Sequence, residues 1–318
     1  MAHRAIAGES RARPAAHGGG RPQLLDRMRR YKWGYIFVLP WVLLYLAFGL
    51  YPLLLSFYLT FFTYSFTQAG NLAFVGIGNW VHGITDPLFW QGLFNITYNQ
   101  VIFIALKNGF GLLTALLLVR ALKGGRFFRT IYFMPVVVSV VVLMTIGIYL
   151  VGPAGPVQNL LMRLGVLRTG IFWTASRWLP MPIIALINSW KWFGVSTVIF
   201  LAGLLAIDPG LYEAAALDGS NGWTDFVYIT LPQLGAQIFF LLVVDVINGL
   251  QMFTEVFTVF DLTGGPQHQA LTPVLYLYDQ AFGQSNIGYA SALGLLLAIV
   301  IAILTLLQFR FLGGVQQE

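Results

Sequence analysis

The residues best suited to chemistry in this sequence are polar side chains inside its fifth long apolar run. Asp245, Asn248 and Glu255 recur there at helical spacing, and together with Met252 they fall within about 80° of one another on an α-helix. Gln251 widens this stripe to about 120°. Charged side chains are costly at the centre of a bilayer, so they face protein, water or a ligand path. The stripe therefore indicates a surface that can hydrogen-bond hydroxyl groups.

Two other apolar runs carry a polar face of the same kind. Asn188 and Lys191 share a face of the fourth run, beside two tryptophans. In the second run Gln100 and Lys107 lie about 20° apart around the helix. Aromatic faces stack on sugar rings while amides and carboxylates bind their hydroxyls, so the three faces predict a pathway for a sugar-like solute. The predicted pathway residues are Lys107, Asn188, Trp190, Lys191, Asp245, Asn248, Gln251 and Glu255.

The same polar residues have a second explanation, which is contact between helices. Lys107 or Lys191 would then pair with Asp245 or Glu255, and the pairs would contribute only packing and specificity. At the level of the sequence both explanations stand.

The composition of the chain is that of an integral membrane protein. Of its 318 residues 58% are hydrophobic and 9% are charged, with a mean hydropathy of +0.75, whereas soluble domains carry about 25% charged residues. The net charge is +6, but eight of the 18 lysines and arginines precede residue 33, which is typical of a topology signal and not of nucleic-acid binding. There are no cysteines and no phosphate-binding glycine loop, and the four histidines lack metal-ligand spacing.

Six apolar runs predict an all-α membrane fold with six transmembrane helices and both termini cytoplasmic. The basic cluster after the second run places that turn inside the cell. We expect residues 1–32 to be a disordered basic cytoplasmic tail, 33–312 to form one transmembrane domain, and 313–318 to be a short cytoplasmic tail. The predicted spans are 35–62, 93–119, 131–151, 183–207, 233–259 and 287–312.

The connection between the fourth and fifth runs, residues 208–232, has a helical pattern of its own. Its apolar face is small, and Gly219 is a typical helix stop. Pro232 suits the first turn of a further helix. A helix, a glycine corner and a second helix would form a rigid projection at the membrane surface, to which a partner protein can bind.

The spacing in this connection resembles a known family. Glu213-Ala214-Ala215, Gly219, Ile229 and Leu231-Pro232 are similar to the EAA loop of binding-protein-dependent ABC importer permeases. Asp208-Pro209-Gly210 departs from the usual entry to that loop. Two later segments resemble the carbohydrate-uptake branch of this family. Within that branch they are similar to the first of two paired permeases, the maltose, lactose and glycerol-3-phosphate type. The resemblance covers residues 33–312. These segments are Leu262-Thr263-Gly264-Gly265-Pro266 and Gly288-Tyr289-Ala290-Ser291-Ala292.

The resemblance implies a type I importer permease in the bacterial cytoplasmic membrane, surrounded by lipid and without enzymatic activity. Its implied partners are a homologous second permease, two ATP-binding subunits, an extracytoplasmic solute-binding protein and a carbohydrate substrate, with no nucleic acid. ATP and Mg²⁺ would bind to the partner subunits, and this chain would bind no cofactor or metal. The residues implied to couple to the ATPase are Glu213, Ala214, Ala215, Asp218, Gly219, Leu231 and Pro232.

Three other functions are compatible with parts of the sequence. A permease for amino acids or peptides would share a looser EAA loop. An ion-coupled secondary transporter would use Asp245, Glu255 and the lysines as a relay, but such proteins often show duplicated halves and this chain has none. A scaffold subunit would have no solute path.

Overall fold

The computed structural model describes residues 31–65, 72–120 and 125–312. Most of the predicted basic tail (residues 1–30) and the short tail 313–318 lie outside these ranges. Lys123 and the side chains of Arg120, Arg126 and Arg129, which form the basic cluster after the second run, also lie outside the description.

Contacts divide the chain into two units, Met1–Leu54 and Leu55–Glu318. In the first unit the described residues belong to helix α1 (Lys32–Leu59), which extends five residues into the second. No residue of its first segment, Lys32–Tyr45, is buried. That segment is apolar on every side, which is typical of a helix surrounded by lipid or by partner helices.

The second unit is almost entirely helical. A two-residue hairpin pairs β1 (Phe62–Thr63) with β2 (Ala73–Phe74) in antiparallel register. The helices that follow are α2 (Gly78–Thr85), α3 (Pro87–Arg120), α4 (Gly125–Val137), α5 (Val140–Val151), α6 (Pro156–Arg163), α7 (Pro180–Leu205), α8 (Pro209–Leu217), α9 (Gly222–Gln233), α10 (Gly235–Gly249), α11 (Thr254–Phe260), α12 (Pro273–Tyr278) and α13 (Ile287–Leu312).

Among the described residues five helical segments are long and apolar enough to cross a membrane, and a bent pair makes a sixth candidate. The straight candidates are Lys32–Leu59, Pro87–Val119, Val140–Arg163, Pro180–Leu205 and Ile287–Phe311. The bent pair is α9 with α10, whose axes differ by 61°. The predicted all-α fold with up to six spans is thereby confirmed. The first, second, fourth and sixth spans fall within a few residues of the predicted ranges.

The third predicted span, 131–151, is wrong as a continuous helix. Helix α4 ends at Val137 and α5 begins at Val140, with Ser139 in extended backbone at ψ 139°. Pro135 lies in the last turn of α4, where it removes a backbone donor and crowds the preceding carbonyls. The apolar candidate span instead runs from Val140 to Arg163, so it extends twelve residues beyond the predicted end at residue 151.

The fifth predicted span, 233–259, is also interrupted. After α10 ends at Gly249, four residues leave the helix before α11 begins at Thr254. The Thr272 hydroxyl donates to the Met252 carbonyl at 2.9 Å, and so provides a partner for a backbone group at the break. Non-helical backbone at membrane depth is tolerated only where protein or a water-filled cavity surrounds it.

Helix α3 packs along α7 to form the centre of the second unit. Small residues allow the approach: a Cβ on Gly111 would meet the Ser196 side chain and the backbone of α7. Polar side chains then cross the interface. The Asn99 amide donates to the Met181 carbonyl at 2.8 Å, and the Ser196 hydroxyl donates to Asn108 Oδ1 at 2.7 Å. Such small and polar contacts replace the hydrophobic effect, which is absent between helices in lipid.

Candidate functional site

A cavity of about 420 Å³ lies between α3, α7 and the broken α10–α11 segment. Six of the eight predicted pathway residues line it: Lys107, Asn188, Asp245, Asn248, Gln251 and Glu255. The remaining lining residues are Gln100, Phe103, Trp192, Val195, Val244, Gly249, Met252, Phe253 and Thr254. The cavity therefore combines amides and carboxylates with aromatic and aliphatic side chains, and its volume is within the usual range for a small-molecule site.

An ion pair between Lys107 and Asp245 closes one side of this cavity. The two side chains are only 6% and 5% exposed. The other carboxylate oxygen of Asp245 accepts a hydrogen bond from Asn108 Nδ2 at 3.1 Å. The pair joins α3 to α10, so for these two residues the contact between helices that the sequence allowed is present.

Glu255 and Asn188 meet on the opposite side. Asn188 Nδ2 donates to Glu255 Oε1 at 2.9 Å. Glu255 lies in the first turn of α11, where the free N–H groups of a helix favour a carboxylate. Two cavity-lining residues carry a buried acceptor that has no hydrogen-bond partner in the part of the chain that the structure describes: Asn188 Oδ1 and Gln100 Oε1, on side chains that are 4% and 5% exposed. Because buried polar groups are normally paired, these oxygens indicate sites for a ligand or water donor.

The two amide side chains of the stripe, Asn248 and Gln251, are more exposed than Asn188 and Gln100. Asn248 Nδ2 donates to the Val244 carbonyl at 2.9 Å, and Gln251 Nε2 donates to the Ile247 carbonyl at 2.7 Å. The first bond stays within α10, and the second ties Gln251, in the break after α10, back to that helix. Both side chains line the cavity.

Trp190 and Lys191 do not line this cavity. Trp190 is 54% exposed and borders a separate apolar groove beside α5. The Lys191 ammonium donates to the carbonyls of Val136 (2.8 Å) and Val138, at the C-terminal end of α4. A lysine there satisfies carbonyls that the helix break would leave unpaired.

Sequence reasoning passed over two residues that shape the cavity. Gln100 shared a face with Lys107 but was not chosen as a pathway residue. Gly249 allows the Gln100 amide to lie against the backbone of α10, since a Cβ at this position would overlap the amide. A glycine at the end of a polar stripe is a usable signal for such a close approach.

The connecting loop begins with helix α8, which ends as the sequence predicted. Asp208 caps its start by accepting a hydrogen bond from the Gly210 N–H at 2.9 Å. At the other end Gly219 adopts φ +83°, and the N–H groups of Gly219 and Ser220 bond back to the carbonyls of Ala216 and Ala215. This double pattern is a Schellman motif, which favours glycine at the left-handed position.

The second helix of the loop starts earlier than predicted. The Asn221 side chain caps α9 by accepting from the N–H groups of Trp223 and Thr224 at 3.0 and 3.1 Å. Pro232 lies in the first turn of the short α-helical segment Leu231–Gln233, as predicted, but this segment continues α9 instead of starting a separate helix. A widened π turn, Phe226–Thr230, precedes Pro232 and gives its ring room.

One hydrogen bond joins the two helices of the loop, and the corner between them is exposed. Tyr212 and Thr230 share a hydroxyl–hydroxyl hydrogen bond of 3.0 Å that ties α8 to α9. Around the corner, Leu217 is 91% and Trp223 is 74% exposed. The predicted coupling residues Glu213, Ala214, Asp218 and Gly219 are exposed as well, whereas Ala215 is partly buried. Leu231 is exposed by 37% and Pro232 is exposed.

Away from the cavity, Asp86 joins three helices. One of its carboxylate oxygens accepts hydrogen bonds from the hydroxyls of Tyr276 and Tyr289, and the other accepts from the Leu88 N–H at 2.8 Å. Burial disfavours the charged carboxylate, but these hydrogen bonds and nearby His82 outweigh it and lower the pKa of Asp86. Burial and the bond to Asp86 raise the pKa of Tyr276, so its hydroxyl stays a donor.

The segment Thr263-Gly264-Gly265-Pro266, part of the family resemblance, forms a turn. Gly264 and Gly265 have φ of +64° and +84°. A Cβ on Gly264 would press against the backbone of Leu271. The Asn95 amide holds the turn from α3 by donating to the carbonyls of His268 and Leu271, both at 3.0 Å.

Comparison with known proteins agrees with this architecture. The chain is 33% identical over 282 residues to the lactose transport system permease protein LacF of Rhizobium radiobacter, covering 87% of this chain and 92% of that protein. It is 31% identical over 287 residues to the arabinooligosaccharides transport system permease protein AraP of Bacillus subtilis (strain 168), covering 89% and 90%.

A solved structure shares the fold. One chain of a bacterial alginate ABC transporter, crystallised with an alginate pentasaccharide-bound periplasmic protein, superposes with a TM-score of 0.75 at 22% identity. The match covers 90% of this chain and 96% of that one. Residues 107–315 also match the family model described as binding-protein-dependent transport system inner membrane component. The resemblance seen in the sequence is confirmed, and the chain belongs to this family of inner-membrane transport components.

Proposed function

We propose that this chain is a transmembrane subunit of an ATP-driven importer, and that the cavity between α3, α7 and α10–α11 is part of the path of a sugar or a sugar-like polyol. The observation that carries this proposal is the convergence of six polar residues, predicted from three separate apolar runs, on one cavity. Amide and carboxylate groups there can bind hydroxyls, and Phe103, Trp192 and Phe253 can pack against sugar rings.

The break between Gly249 and Thr254 supports a path that opens and closes. It separates Asp245, which is fixed to α3, from Glu255, which is bonded to α7. A rearrangement at the break would change the distance between these two walls of the cavity. Hinges commonly occupy a few residues at the ends of helices, as here.

The exposed corner between α8 and α9 supports coupling to an external motor. Its Schellman turn and the exposed apolar side chains of Leu217 and Trp223 offer a surface that an ATP-binding subunit would contact. Glu213, Ala214, Ala215, Asp218, Gly219, Leu231 and Pro232 would belong to this coupling loop on the cytoplasmic side. ATP and Mg²⁺ would be bound by two partner subunits, and this chain would hydrolyse nothing itself.

The remaining partners follow from the same proposal. A homologous second permease would complete the membrane part, and an extracytoplasmic binding protein would deliver the solute. The relatives support a saccharide, since their names refer to lactose, arabinooligosaccharides and alginate. These compounds differ in charge, so family membership does not fix the charge of the solute.

The test is uptake by proteoliposomes that contain the chain together with the permease, ATPase and binding-protein subunits encoded beside it. Radiolabelled neutral sugars are offered with ATP inside the vesicles or without it. We expect uptake that requires ATP and persists when ionophores abolish the membrane potential and the ion gradients. Uptake that ionophores abolish while ATP is present would overturn the proposal in favour of an ion-coupled transporter. Unchanged uptake after combined alanine substitution of Asn248, Gln251 and Glu255 would argue that the path lies elsewhere.

A further inference from the structure

The ionisable side chains of the cavity carry more negative than positive charge. Lys107, Asp245 and Glu255 are the charged residues among those that line it. Building on the proposed function, we propose that this cavity selects uncharged, hydroxyl-rich solutes and rejects sugars that bear a phosphate or a carboxylate. The structure assigns Glu255 as the residue that sets this selectivity.

The positive charge of Lys107 is not available to an anionic solute. Its ammonium is bound to the Asp245 carboxylate, and both side chains are almost fully buried. Asn108 donates to the second oxygen of Asp245, which fixes the carboxylate in place. An incoming phosphate would have to displace Asp245 and leave that carboxylate buried without its counter-ion, which is strongly unfavourable.

Glu255 is the carboxylate that a solute meets without an ion-pair partner in the cavity wall. Its hydrogen bond comes from the neutral amide of Asn188, at 2.9 Å. The Lys191 ammonium is bonded to the carbonyls of Val136 and Val138, and Lys191 does not line the cavity. A solute in the cavity therefore faces the carboxylate of Glu255 and not the ammonium of Lys191.

The unpaired oxygens of the cavity also favour hydroxyl groups. Among the described residues Asn188 Oδ1 and Gln100 Oε1 are buried acceptors without a partner, so a hydroxyl that reaches them can donate to them. A sugar hydroxyl donates one hydrogen bond, whereas an ionised carboxylate or phosphate oxygen accepts only. An anionic group placed here would leave these acceptors unpaired and would repel Glu255. Both effects weaken the binding of an anionic solute.

The test measures binding to the purified complex of both permeases and the ATPase subunits, without the binding protein, so that selectivity of the delivery protein does not contribute. A panel of neutral mono- and disaccharides is titrated by equilibrium dialysis, and the sugar that binds most tightly is compared with its own 6-phosphate. We expect the wild-type complex to prefer the neutral sugar by about tenfold or more, because like charges across a site are strongly unfavourable.

The Glu255→Gln variant should narrow this preference by about tenfold, since glutamine still accepts from Asn188 but carries no charge. Asp261→Asn is the matched control: it removes one exposed negative charge outside the cavity and should leave the ratio unchanged. Gel filtration confirms that each variant assembles with its partners.

Two results would overturn the inference without touching the proposed function. The first is equal affinity of the wild type for the neutral sugar and its phosphate. The second is a Glu255→Gln complex whose preference equals that of the wild type. By contrast, a complex that binds neither neutral nor phosphorylated sugars and drives no ATP-dependent uptake would contradict the proposed importer function. The proposed selectivity would then fall as well.

Discussion

Lys107 and Asp245 form a buried ion pair that joins α3 to α10 beside the cavity. Polar residues one turn apart in the same membrane helix therefore differ in role: one forms a buried contact between helices and the other is exposed. Asp245 is paired and fixed, whereas Asn248, one turn further on, is exposed and bonds only within its own helix. Asp245 therefore fixes α10 to α3 at the cavity wall, and Asn248 exposes its amide to the cavity.

Removal of either partner of this pair should destabilise the fold. We expect Lys107→Met or Asp245→Leu alone to cost about 3–5 kcal/mol, because each leaves an uncompensated buried charge. The double variant Lys107→Met/Asp245→Leu should recover most of this loss, since no unpaired charge remains. Thermal unfolding in detergent is measured for the purified complexes of the wild type, the two single variants and the double variant, which together form a double-mutant cycle. Additive losses in the double variant would show that the two charges are not coupled.

Gly249 should control the position of the Gln100 amide. A methyl group at Gly249 would overlap that amide, so Gly249→Ala should displace Gln100 and remove one acceptor from the cavity. We expect neutral-sugar affinity to fall by about three- to tenfold, the equivalent of roughly one hydrogen bond. Gly235→Ala, on the same helix but facing open space, is the control and should bind as the wild type does. Equal dissociation constants for the two variants would contradict this role.

Asp86 should make stability sensitive to acid. Its pKa in the folded state is lowered, so its contribution is fully present above the unfolded value of about 3.9 and is lost as pH falls through the folded pKa. We expect the unfolding temperature of the wild type to fall as pH drops below about 4. Asp86→Asn should unfold at a lower temperature at pH 7 and should lose part of this acid dependence.

The control for Asp86 is again Asp261→Asn, which removes an exposed carboxylate. Its acid dependence should follow that of the wild type. If Asp86→Asn retains the full wild-type slope between pH 3 and 5, roughly the window around an unperturbed aspartate, the two tyrosine hydrogen bonds do not stabilise the charged form.

Helical periodicity predicted correctly that Asp245 and Asn248 share a face of one helix. The predicted stripe as a whole is not one helical face, because Gln251 lies in the break after Gly249 and Glu255 lies on α11. The spacing of Asp245 and Asn248 placed both on the cavity side, and the position of Gly219 predicted the end of α8. These features depend on local geometry, which the sequence encodes within one or two turns.

Features that depend on other helices could not be predicted in this way. The partners of Lys191 are backbone carbonyls at the end of α4, which exist only because that helix breaks after Val137. Trp190 adjoins Lys191 in sequence, but one residue turns a helix by about 100°, which directs Trp190 to a different groove. The break after Gly249 was also hidden, since a single glycine is compatible with a continuous apolar helix.

The corner at Gly219 should transmit force only while its backbone keeps the left-handed conformation. At φ +83° a β-branched side chain is strained, although a Cβ there would meet no neighbouring atom. Gly219→Val should therefore act through the backbone, at a cost of roughly 1–2 kcal/mol, and shift the orientation of α8 relative to α9. We expect several-fold slower uptake with ATP hydrolysis that no longer responds to the solute-loaded binding protein.

Two further variants separate backbone conformation from side-chain bulk at this corner. Gly222→Val adds the same side chain three residues later, at a position with ordinary φ and open space, and should transport as the wild type does. Gly219→Asn adds a polar side chain of similar size, but asparagine tolerates the left-handed region, so coupling should largely survive. Uptake and ATPase activity are measured together for all three variants. If Gly219→Val matches Gly222→Val in both activities, the left-handed corner is not needed for coupling. If Gly219→Asn fails as Gly219→Val does, bulk at the contact surface is what matters, and a partner must approach the corner closely.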